Sequence, residues 1–216
     1  MTNQIHYHDE TTGLTLVLAE AKTSPELWQA FLAGARRRYK LYDAEEMVFA
    51  SQTAVLRGIE RFSVVMLDGR PIAGARTRGA LGENDLPVCK ELDGFPAFEM
   101  IHNKVRSRLS EGVLEGKTGW MDNEFRGDST SIAPLLVAGL YLQLPQTGCR
   151  WIVAALSPFS VPVFTRYGGV MDSDIKPVPF PKPDILTGVV WFDRNRLEAQ
   201  IAKFLPVSHS MNAGCF

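Results

Sequence analysis

The feature that most constrains this chain is a strand, a short polar turn and a helix that follow one another between residues 112 and 144. Residues 113–121 predict the strand, and apolar residues from Ile132 to Leu144 recur at helical spacing. The turn between them carries Arg126 and the small polar run 129–131. A helix N-terminus leaves backbone N–H groups unpaired, and the helix dipole favours an anion there. The turn therefore predicts either a phosphate-binding site or an ordinary helix start capped by its own hydroxyl groups.

A second strand and a short helix follow this unit. The apolar run 150–156 predicts a compact strand, which Ser157 and Pro158 end. Residues 161–167 predict a short helix, ended by two glycines. The order of strand, Arg-Gly turn, helix, strand and short helix resembles the GNAT acyltransferase superfamily. The resemblance implies a mixed α/β fold of GNAT type, with a central, mostly antiparallel sheet flanked by helices.

The same resemblance implies a thioester-binding site. In GNAT enzymes the turn has the pattern Gln/Arg-x-x-Gly-x-Gly/Ala, and its amides bind the pyrophosphate and pantetheine of coenzyme A. Here serine stands at both later glycine positions, and its Cβ keeps the backbone farther from a diphosphate than glycine would. The departure supports binding of the acyl-bearing arm more than binding of the whole coenzyme. The residues implied for this site are Met121, Arg126, Gly127, Asp128, Ser129, Thr130, Ser131 and Ser157.

An amphipathic helix is predicted near the start of the chain. Ser24 is a suitable N-cap, Pro25 a suitable first helical residue, and apolar residues recur on one face as far as Tyr39. The opposite face is basic and carries Arg36, Arg37, Arg38 and Lys40. This basic face either meets solvent, as most charged helix faces do, or docks an acidic partner, or turns one arginine inward to bind a carboxylate.

The end of this helix carries a second resemblance. The segment from Arg38 to Tyr42, Arg-Tyr-Lys-Leu-Tyr, is similar to the Arg-Tyr-x-Val-Tyr/Phe segment of acyl-homoserine-lactone synthases and long-chain N-acyl amino acid synthases. These GNAT-fold enzymes commonly take their acyl group from acyl carrier protein. The resemblance implies that Arg38 and Tyr42 bind substrate, that acyl carrier protein is a possible partner, and that the acceptor is a small-molecule amine.

A hairpin is predicted between residues 61 and 76, because Asp68-Gly69 separates two strand-like runs. The second run ends in Gly-Ala-Arg and again resembles the central strands of GNAT enzymes. The resemblance places Arg76 toward the acceptor pocket. The alternative for Arg76 is a surface salt bridge on the face of a strand.

Glu115 is the candidate general base. Related synthases carry Glu-x-x-Arg-x-x-Val on the strand before the turn; this chain matches the glutamate and the final apolar position but has Thr118 in place of the arginine. A partly desolvated carboxylate facing a cleft can deprotonate an amine directly or through water. The alternative is an exposed pair with Lys117. The period of two residues predicts that one strand face carries Val113, Glu115, Lys117, Gly119 and Met121.

No general acid is identified by the resemblance. Many acetyltransferases of this fold place a tyrosine in Tyr-x-x-x-Gly in the last helix, but Phe164 stands at that position here and cannot donate a proton. Solvent or Ser157 would have to protonate the leaving thiolate.

Composition excludes several other classes of protein. The length of 216 residues predicts a single domain over 1–207 with a loose tail over 208–216. A net charge of −1 argues against a nucleic-acid-binding surface. Three cysteines without metal-ligand spacing predict neither a metal centre nor a disulfide framework. No signal peptide and no membrane span are visible, and we expect a cytoplasmic protein.

The resemblance thus implies transfer of a fatty acyl group from a phosphopantetheine thioester to a small amine. The thioester is carried by acyl carrier protein or coenzyme A, and no tightly bound cofactor is expected. One alternative is a small-molecule N-acetyltransferase that uses acetyl-CoA. The other is a degenerate domain that binds acyl thioesters or a partner without turnover, since the turn departs from the GNAT pattern and the usual tyrosine is missing.

Overall fold

The computed structural model describes residues 4–48, 55, 60–79, 81–82, 88–122 and 131–204. The predicted phosphate-binding turn from Arg126 to Thr130 and the predicted tail 208–216 lie outside these residues.

Nine strands in the described residues form a mixed sheet in the order β1-β2-β3-β4-β5-β6-β9-β7, and β8 pairs separately with β9. Only β5 and β6 pair in parallel among these strands; the other pairs are antiparallel. The mostly antiparallel sheet predicted from the sequence is confirmed. The strands are β1 Ile5–Asp9, β2 Leu14–Glu20, β3 Glu60–Leu67, β4 Arg70–Arg78, β5 Val113–Met121, β6 Trp151–Leu156, β7 Val170–Met171, β8 Val178–Pro179 and β9 Leu186–Asp193.

The predicted β3–β4 hairpin is confirmed. Its two-residue loop consists of Asp68 and Gly69, whose φ angles are +50° and +74°. Two consecutive positive φ angles are those of a type I′ turn, whose twist matches that of the flanking strands. Short-range turn chemistry therefore fixes the pairing of these two central strands.

Five α-helices have their bounds within the described residues, and three of them are the helices that the sequence predicted near the N-terminus, after the turn and after β6. The helix near the N-terminus begins after Ser24, with Pro25 in its first turn, as the cap pattern indicated. The main helix begins at Ile132, directly after the turn, and extends to Thr147. The helices are α1 Pro25–Lys40, α2 Pro96–Arg106, α3 Ile132–Thr147, α4 Val161–Arg166 and α5 Arg194–Phe204.

The two faces of the sheet carry different helices, as the alternation along β2 shows. Leu16 and Leu18 belong to the apolar cluster that contains α3, whereas Val17 and Ala19 belong to the cluster that contains α1. Successive side chains of a strand point to opposite faces. Therefore α1 and α3 lie on opposite sides of the sheet. A third cluster, on α2, includes Val113.

The central strand β5 contains a bulge that the sequence did not predict. Gly74 pairs with Trp120 and Arg76 pairs with Lys117, so the single residue between Gly74 and Arg76 on β4 faces two residues on β5. An extra residue shifts the alternation of every side chain beyond it. Val113 accordingly packs in the α2 cluster, whereas Met121 packs on the α3 side. The prediction that both share one face is therefore wrong, because the period of two is interrupted between them.

Candidate functional site

A cavity of about 370 Å³ opens where β5 and β6 separate. The two strands pair from Val113 and Trp151 as far as Gly116 and Ala154. Beyond that point both strands continue, β5 to Met121 and β6 to Leu156, and residues of both line the cavity. Backbone groups that face the opening are not joined in the ladder between these strands, so an extended ligand with amide groups could pair with them.

The cavity crosses the sheet and changes character as it does so. Its walls on the α3 side belong to the apolar core, and its walls on the α1 side carry charged and hydroxyl groups. No aspartate or glutamate is among the described residues that line it. The apolar wall includes Ile132, Leu136, Leu140, Ala154, Phe164 and Phe192, and the polar wall includes Arg38, Tyr39, Tyr42, Arg76, Lys117 and Thr118.

The structure brings several of the predicted site residues together around this cavity. Arg38, Tyr42, Arg76, Met121 and Ser157 all line it. Ser131 directly precedes α3, whose first two residues also line the cavity. The remaining predicted thioester-binding residues, Arg126, Gly127, Asp128, Ser129 and Thr130, lie outside the described part of the chain.

Arg38 and Tyr42 form one unit at the end of α1. The Arg38 guanidinium donates a hydrogen bond of 2.9 Å to the Tyr42 hydroxyl and lies 5.2 Å from the centre of the Tyr42 ring. Neither side chain contacts a carboxylate in the described residues. A planar guanidinium held in this way presents its remaining N–H groups to a carboxylate or phosphate group of a ligand.

Arg76 lies almost fully inside the protein, with 3% of its surface exposed. It donates to Glu60 Oε2 at 2.9 Å and to Thr118 Oγ1 at 3.0 Å. Its salt bridge is therefore buried rather than on the surface. Burial raises the pKa of the Glu60 carboxyl, and the Arg76 guanidinium opposes that shift.

Glu115 is 1% exposed and does not line the cavity. Its Oε1 accepts a hydrogen bond of 2.6 Å from the Cys89 backbone N–H and lies 2.9 Å from Lys117 Nζ. Its Oε2 lies 3.3 Å from Arg78 Nε and accepts no hydrogen bond within the described residues. Because buried polar atoms are nearly always hydrogen-bonded, this oxygen is an open acceptor site for a proton or a water molecule.

Lys117 stands between Glu115 and the cavity. Its ammonium group lies 2.9 Å from Glu115 Oε1 and 2.6 Å from Glu91 Oε2, and Lys117 is one of the residues that line the cavity. Burial alone would lower the pKa of Lys117, but the two carboxylates raise it well above its ordinary value. Lys117 is therefore a fixed cation at neutral pH and balances the two glutamates.

Sequence reasoning did not assign three residues of the polar wall, namely Tyr39, Lys117 and Thr118. The Tyr39 hydroxyl donates to the Gly119 carbonyl at 3.3 Å, and burial raises the pKa of Tyr39 to about 12. Tyr39 is therefore a neutral phenol at neutral pH. The sequence signal for Tyr39 was its place inside the quoted Arg-Tyr segment. In the sequence, Lys117 was only a possible partner of Glu115, and Thr118 was only the residue at the arginine position of the motif. Their places in the cavity wall could not be foreseen, because the bulge decides what they face.

Phe164 lines the cavity in the position where many GNAT enzymes carry a tyrosine. Its ring packs at nearly a right angle against Phe192, with 5.8 Å between ring centres. The Ser157 hydroxyl also lines the cavity and lies 3.1 Å from the Ser160 hydroxyl. Ser157 therefore remains the predicted alternative to solvent as the group that protonates the leaving thiolate.

The chain has a GNAT-like fold, with a mostly antiparallel sheet that opens between the parallel strands β5 and β6 and a main helix that begins beside the opening. The fold is similar to that of FeeM, an N-acyl amino acid synthase from uncultured soil microbes, with a TM-score of 0.59, 12% identity, and coverage of 85% of this chain and 98% of that one. It is also similar to that of MesI, a CoA-dependent acyl-homoserine lactone synthase, with a TM-score of 0.61, 16% identity, and coverage of 92% of this chain and 98% of that one. For the AHL synthase LasI the TM-score is 0.61 and the identity 10%, with coverage of 94% of this chain and 96% of that one.

Sequence comparison gives relatives without an assigned activity. No protein-family model matches the chain. The uncharacterized proteins Rv1356c of Mycobacterium tuberculosis and Mb1391c of Mycobacterium bovis are each 25% identical over 189 residues, which cover 84% of this chain and 70% of the relative. The structural likeness therefore shows the GNAT-like fold, and the predicted fold is confirmed. Among the helices that the structure describes, none has the length and apolar character to cross a membrane.

Proposed function

We propose that this protein transfers a fatty acyl group from a phosphopantetheine thioester to the amine of a small molecule that also carries a carboxylate. One feature carries the proposal: the cavity crosses the sheet between β5 and β6 and joins an apolar wall to a cationic wall. An acyl chain fits the first wall, a polar acceptor fits the second, and the thioester carbon lies where the two meet. Of two neighbours in fold, FeeM is an N-acyl amino acid synthase and MesI is a CoA-dependent acyl-homoserine lactone synthase.

The donor enters along the separated strands. The pantetheine arm contains amide groups, which can pair with the backbone of β5 and β6 where these strands no longer pair with each other. Met121 and Ser157 line this stretch, and the turn from Arg126 to Ser131 is proposed to bind the phosphate of the arm. Acyl carrier protein and coenzyme A both present this arm.

The acceptor is proposed to bind through its carboxylate at Arg38 and Tyr42. Lys117 and Arg76 also line the polar wall, but each is matched by carboxylates of the protein. Arg38 makes no ion pair with a described carboxylate, and charge-assisted bonds to a guanidinium are among the strong hydrogen bonds. An amino acid or a similar amine with an anionic group therefore fits this wall better than a neutral amine.

The reaction forms a C–N bond and breaks a C–S bond. The acceptor nitrogen attacks the thioester carbonyl, the thiolate leaves, and the nitrogen loses a proton. Glu115 is proposed to receive that proton at Oε2, the oxygen that accepts no hydrogen bond from a described residue. Because Glu115 does not line the cavity, the proton is proposed to reach it through water. The thiolate takes its proton from solvent or from Ser157.

The test is to incubate the protein with acyl thioesters of different chain length and with amines, and to follow release of free thiol. Each acyl group is supplied on coenzyme A and on acyl carrier protein, and each acceptor is paired with its carboxamide. Release that needs a long acyl chain and a free carboxylate supports the proposal. Fast release with acetyl-CoA alone would favour the acetyltransferase alternative, and binding of thioesters without release would favour a domain without turnover.

Leu140 is predicted to limit the length of the acyl chain. Ile132, Leu136 and Leu140 line the cavity at intervals of four residues, so the apolar wall follows α3 for about 12 Å from its first turn. Leu140→Ala should therefore move the optimum to longer chains, and each methylene newly buried is worth roughly fourfold in kcat/KM, from about 0.8 kcal/mol per CH₂. The measurement is kcat/KM across a series of acyl-CoA lengths.

Leu144→Ala is the matched control for this prediction. Leu144 lies one turn further along α3 in the same apolar cluster, is fully buried and does not line the cavity. It should lose comparable stability and keep the parental chain-length optimum. An unchanged optimum in Leu140→Ala would show that the acyl chain lies elsewhere.

A further inference from the structure

The bulge in β5 holds a threonine in a backbone conformation that β-branched residues rarely adopt. Thr118 has a φ of +43°, in the left-handed region, and is followed by Gly119. Bulges with a left-handed first residue ordinarily place glycine there, and a β-branched residue at positive φ is a genuine outlier. Such outliers persist where the surrounding structure holds them, and they cluster at functional sites.

Side chains from two other elements hold the bulge in place. Arg76 Nε donates to Thr118 Oγ1 at 3.0 Å, and Arg76 Nη1 donates to Glu60 Oε2 at 2.9 Å. The Tyr39 hydroxyl donates to the carbonyl of Gly119. Each residue of the bulge is thus bonded to a side chain that lines the cavity.

The bulge determines which side chains face the opening. Beyond it, Trp120 packs on the α1 side and Met121 on the α3 side, the reverse of uninterrupted alternation. Trp120 lies directly under Gly34 of α1, where even a Cβ would overlap its ring. The register after the bulge is therefore tightly specified on the α1 side, and this places Met121 in the cavity wall.

We propose that Arg76 and Thr118 are positioning residues, which hold the β5 bulge so that Met121 and the polar wall are aligned at the opening between β5 and β6. In this role Arg76 holds the backbone of the bulge through the Thr118 side chain and does not bind the acceptor. The inference rests on the proposed acyl transfer for its kinetic consequence, but the geometry of the bulge can be tested without turnover.

The kinetic test compares Thr118→Val with Thr118→Ser. Valine keeps the shape of threonine but cannot accept the hydrogen bond from Arg76, whereas serine keeps the acceptor oxygen and lacks the branching that opposes positive φ. Thr118→Val should lower kcat by about 10- to 100-fold, the scale of a 1 Å misplacement in an active site, with little change in the KM of the acceptor. Thr118→Ser should keep the parental kcat.

Thr77→Val is the matched control. Thr77 is the next residue along β4 from Arg76, is fully buried, and donates its hydroxyl hydrogen bond to Gln143 of α3; neither residue lines the cavity. The same substitution there also removes one buried hydrogen bond, so it should cost a similar amount of stability and leave kcat unchanged. A drop in kcat in both valine variants would indicate a general loss of stability and overturn the proposal.

Fluorine NMR of protein labelled with fluorotryptophan reports on the bulge independently of activity. Of the four tryptophans, Trp120 follows the bulge directly, and Trp120→Phe identifies its signal. Thr118→Val should shift or broaden that signal alone, and Thr118→Ser and Thr77→Val should leave it in place. Should Thr118→Val fail to fold, Thr118→Ala provides the same loss of acceptor in a smaller residue.

The outcomes separate this proposal from the proposed function. An unchanged Trp120 signal in Thr118→Val, or a parental kcat with a shifted signal, overturns the positioning role. A raised acceptor KM with kcat unchanged also overturns it, since that pattern indicates direct acceptor binding. If no thioester is turned over by any form of the protein, the proposed function fails, and the Trp120 signal alone decides whether Arg76 and Thr118 hold the bulge.

Discussion

Glu115→Gln is expected to slow acyl transfer by about 10²- to 10⁴-fold, the usual contribution of general acid–base catalysis. Glutamine keeps the size of the side chain and can still accept from the Cys89 backbone N–H, but it cannot take up the proton released by the amine. The measurement is the single-turnover rate of thiol release with saturating donor. Binding of the thioester should change little, because Glu115 does not line the cavity.

Glu91→Gln distinguishes a base from a partner of Lys117. Both carboxylates contact the Lys117 ammonium, Glu91 at 2.6 Å and Glu115 at 2.9 Å. If Glu115 acts only by fixing Lys117, the two variants should lose activity equally. If Glu115 is the base, Glu91→Gln should keep most of the parental rate. A parental rate in Glu115→Gln with the fold intact would place the base elsewhere.

Those parts of the fold that depend on neighbours in sequence were predictable. The Asp68-Gly69 pair fixes its hairpin because few residues accept two consecutive positive φ angles. The apolar period of α3 and the start of α1 at Ser24 and Pro25 likewise depend on local sequence. The mostly antiparallel sheet followed from the order of these elements and from the resemblance to a known family.

The position of the bulge was not predictable, since it depends on contacts between distant residues. Thr118 adopts a conformation that its own preference opposes, and Arg76, 42 positions earlier, holds it there. Alternation along β5 predicted that Glu115 and Met121 share a face, and the bulge separates them. The partnership of Lys117 with Glu91 likewise depends on a segment between strands.

The candidate site was predicted in part, and for identifiable reasons. Arg38, Tyr42 and Arg76 line the cavity because each lies on an element whose position the fold determines, and their roles in substrate binding stay predictions. Burial of Glu115 behind Lys117 could not be foreseen, since the alternatives weighed for it were a cleft-facing base and an exposed pair. Its role as the base stays a prediction.

Arg76→Met is expected to lower the free energy of unfolding by about 3–5 kcal/mol at pH 7, because it leaves the Glu60 carboxylate buried without its partner. Arg61→Met is the matched control on the neighbouring strand. Arg61 pairs with Glu20 at 2.6 Å, but both side chains are about a quarter exposed, and such pairs contribute about 0–1 kcal/mol. Urea unfolding of both variants measures the difference.

The double variant Glu60→Gln/Arg76→Met should recover most of this loss, because replacing both members of a buried pair is often nearly neutral.

The pH dependence of the stability loss in Arg76→Met shows whether the charge of Glu60 causes it. Burial raises the pKa of Glu60 above its ordinary 4.5, so the folded protein holds the Glu60 proton more tightly than the unfolded chain does. Protonated Glu60 therefore stabilises the folded state. This contribution is complete below pH 4.5 and is lost as the pH rises through the pKa of Glu60 in the folded protein. Without Arg76 that pKa rises further, so the deficit of Arg76→Met should be smaller at pH 5 than at pH 8. An equal deficit at both values would mean that Arg76 stabilises the fold through packing or through Thr118 rather than through the charge of Glu60.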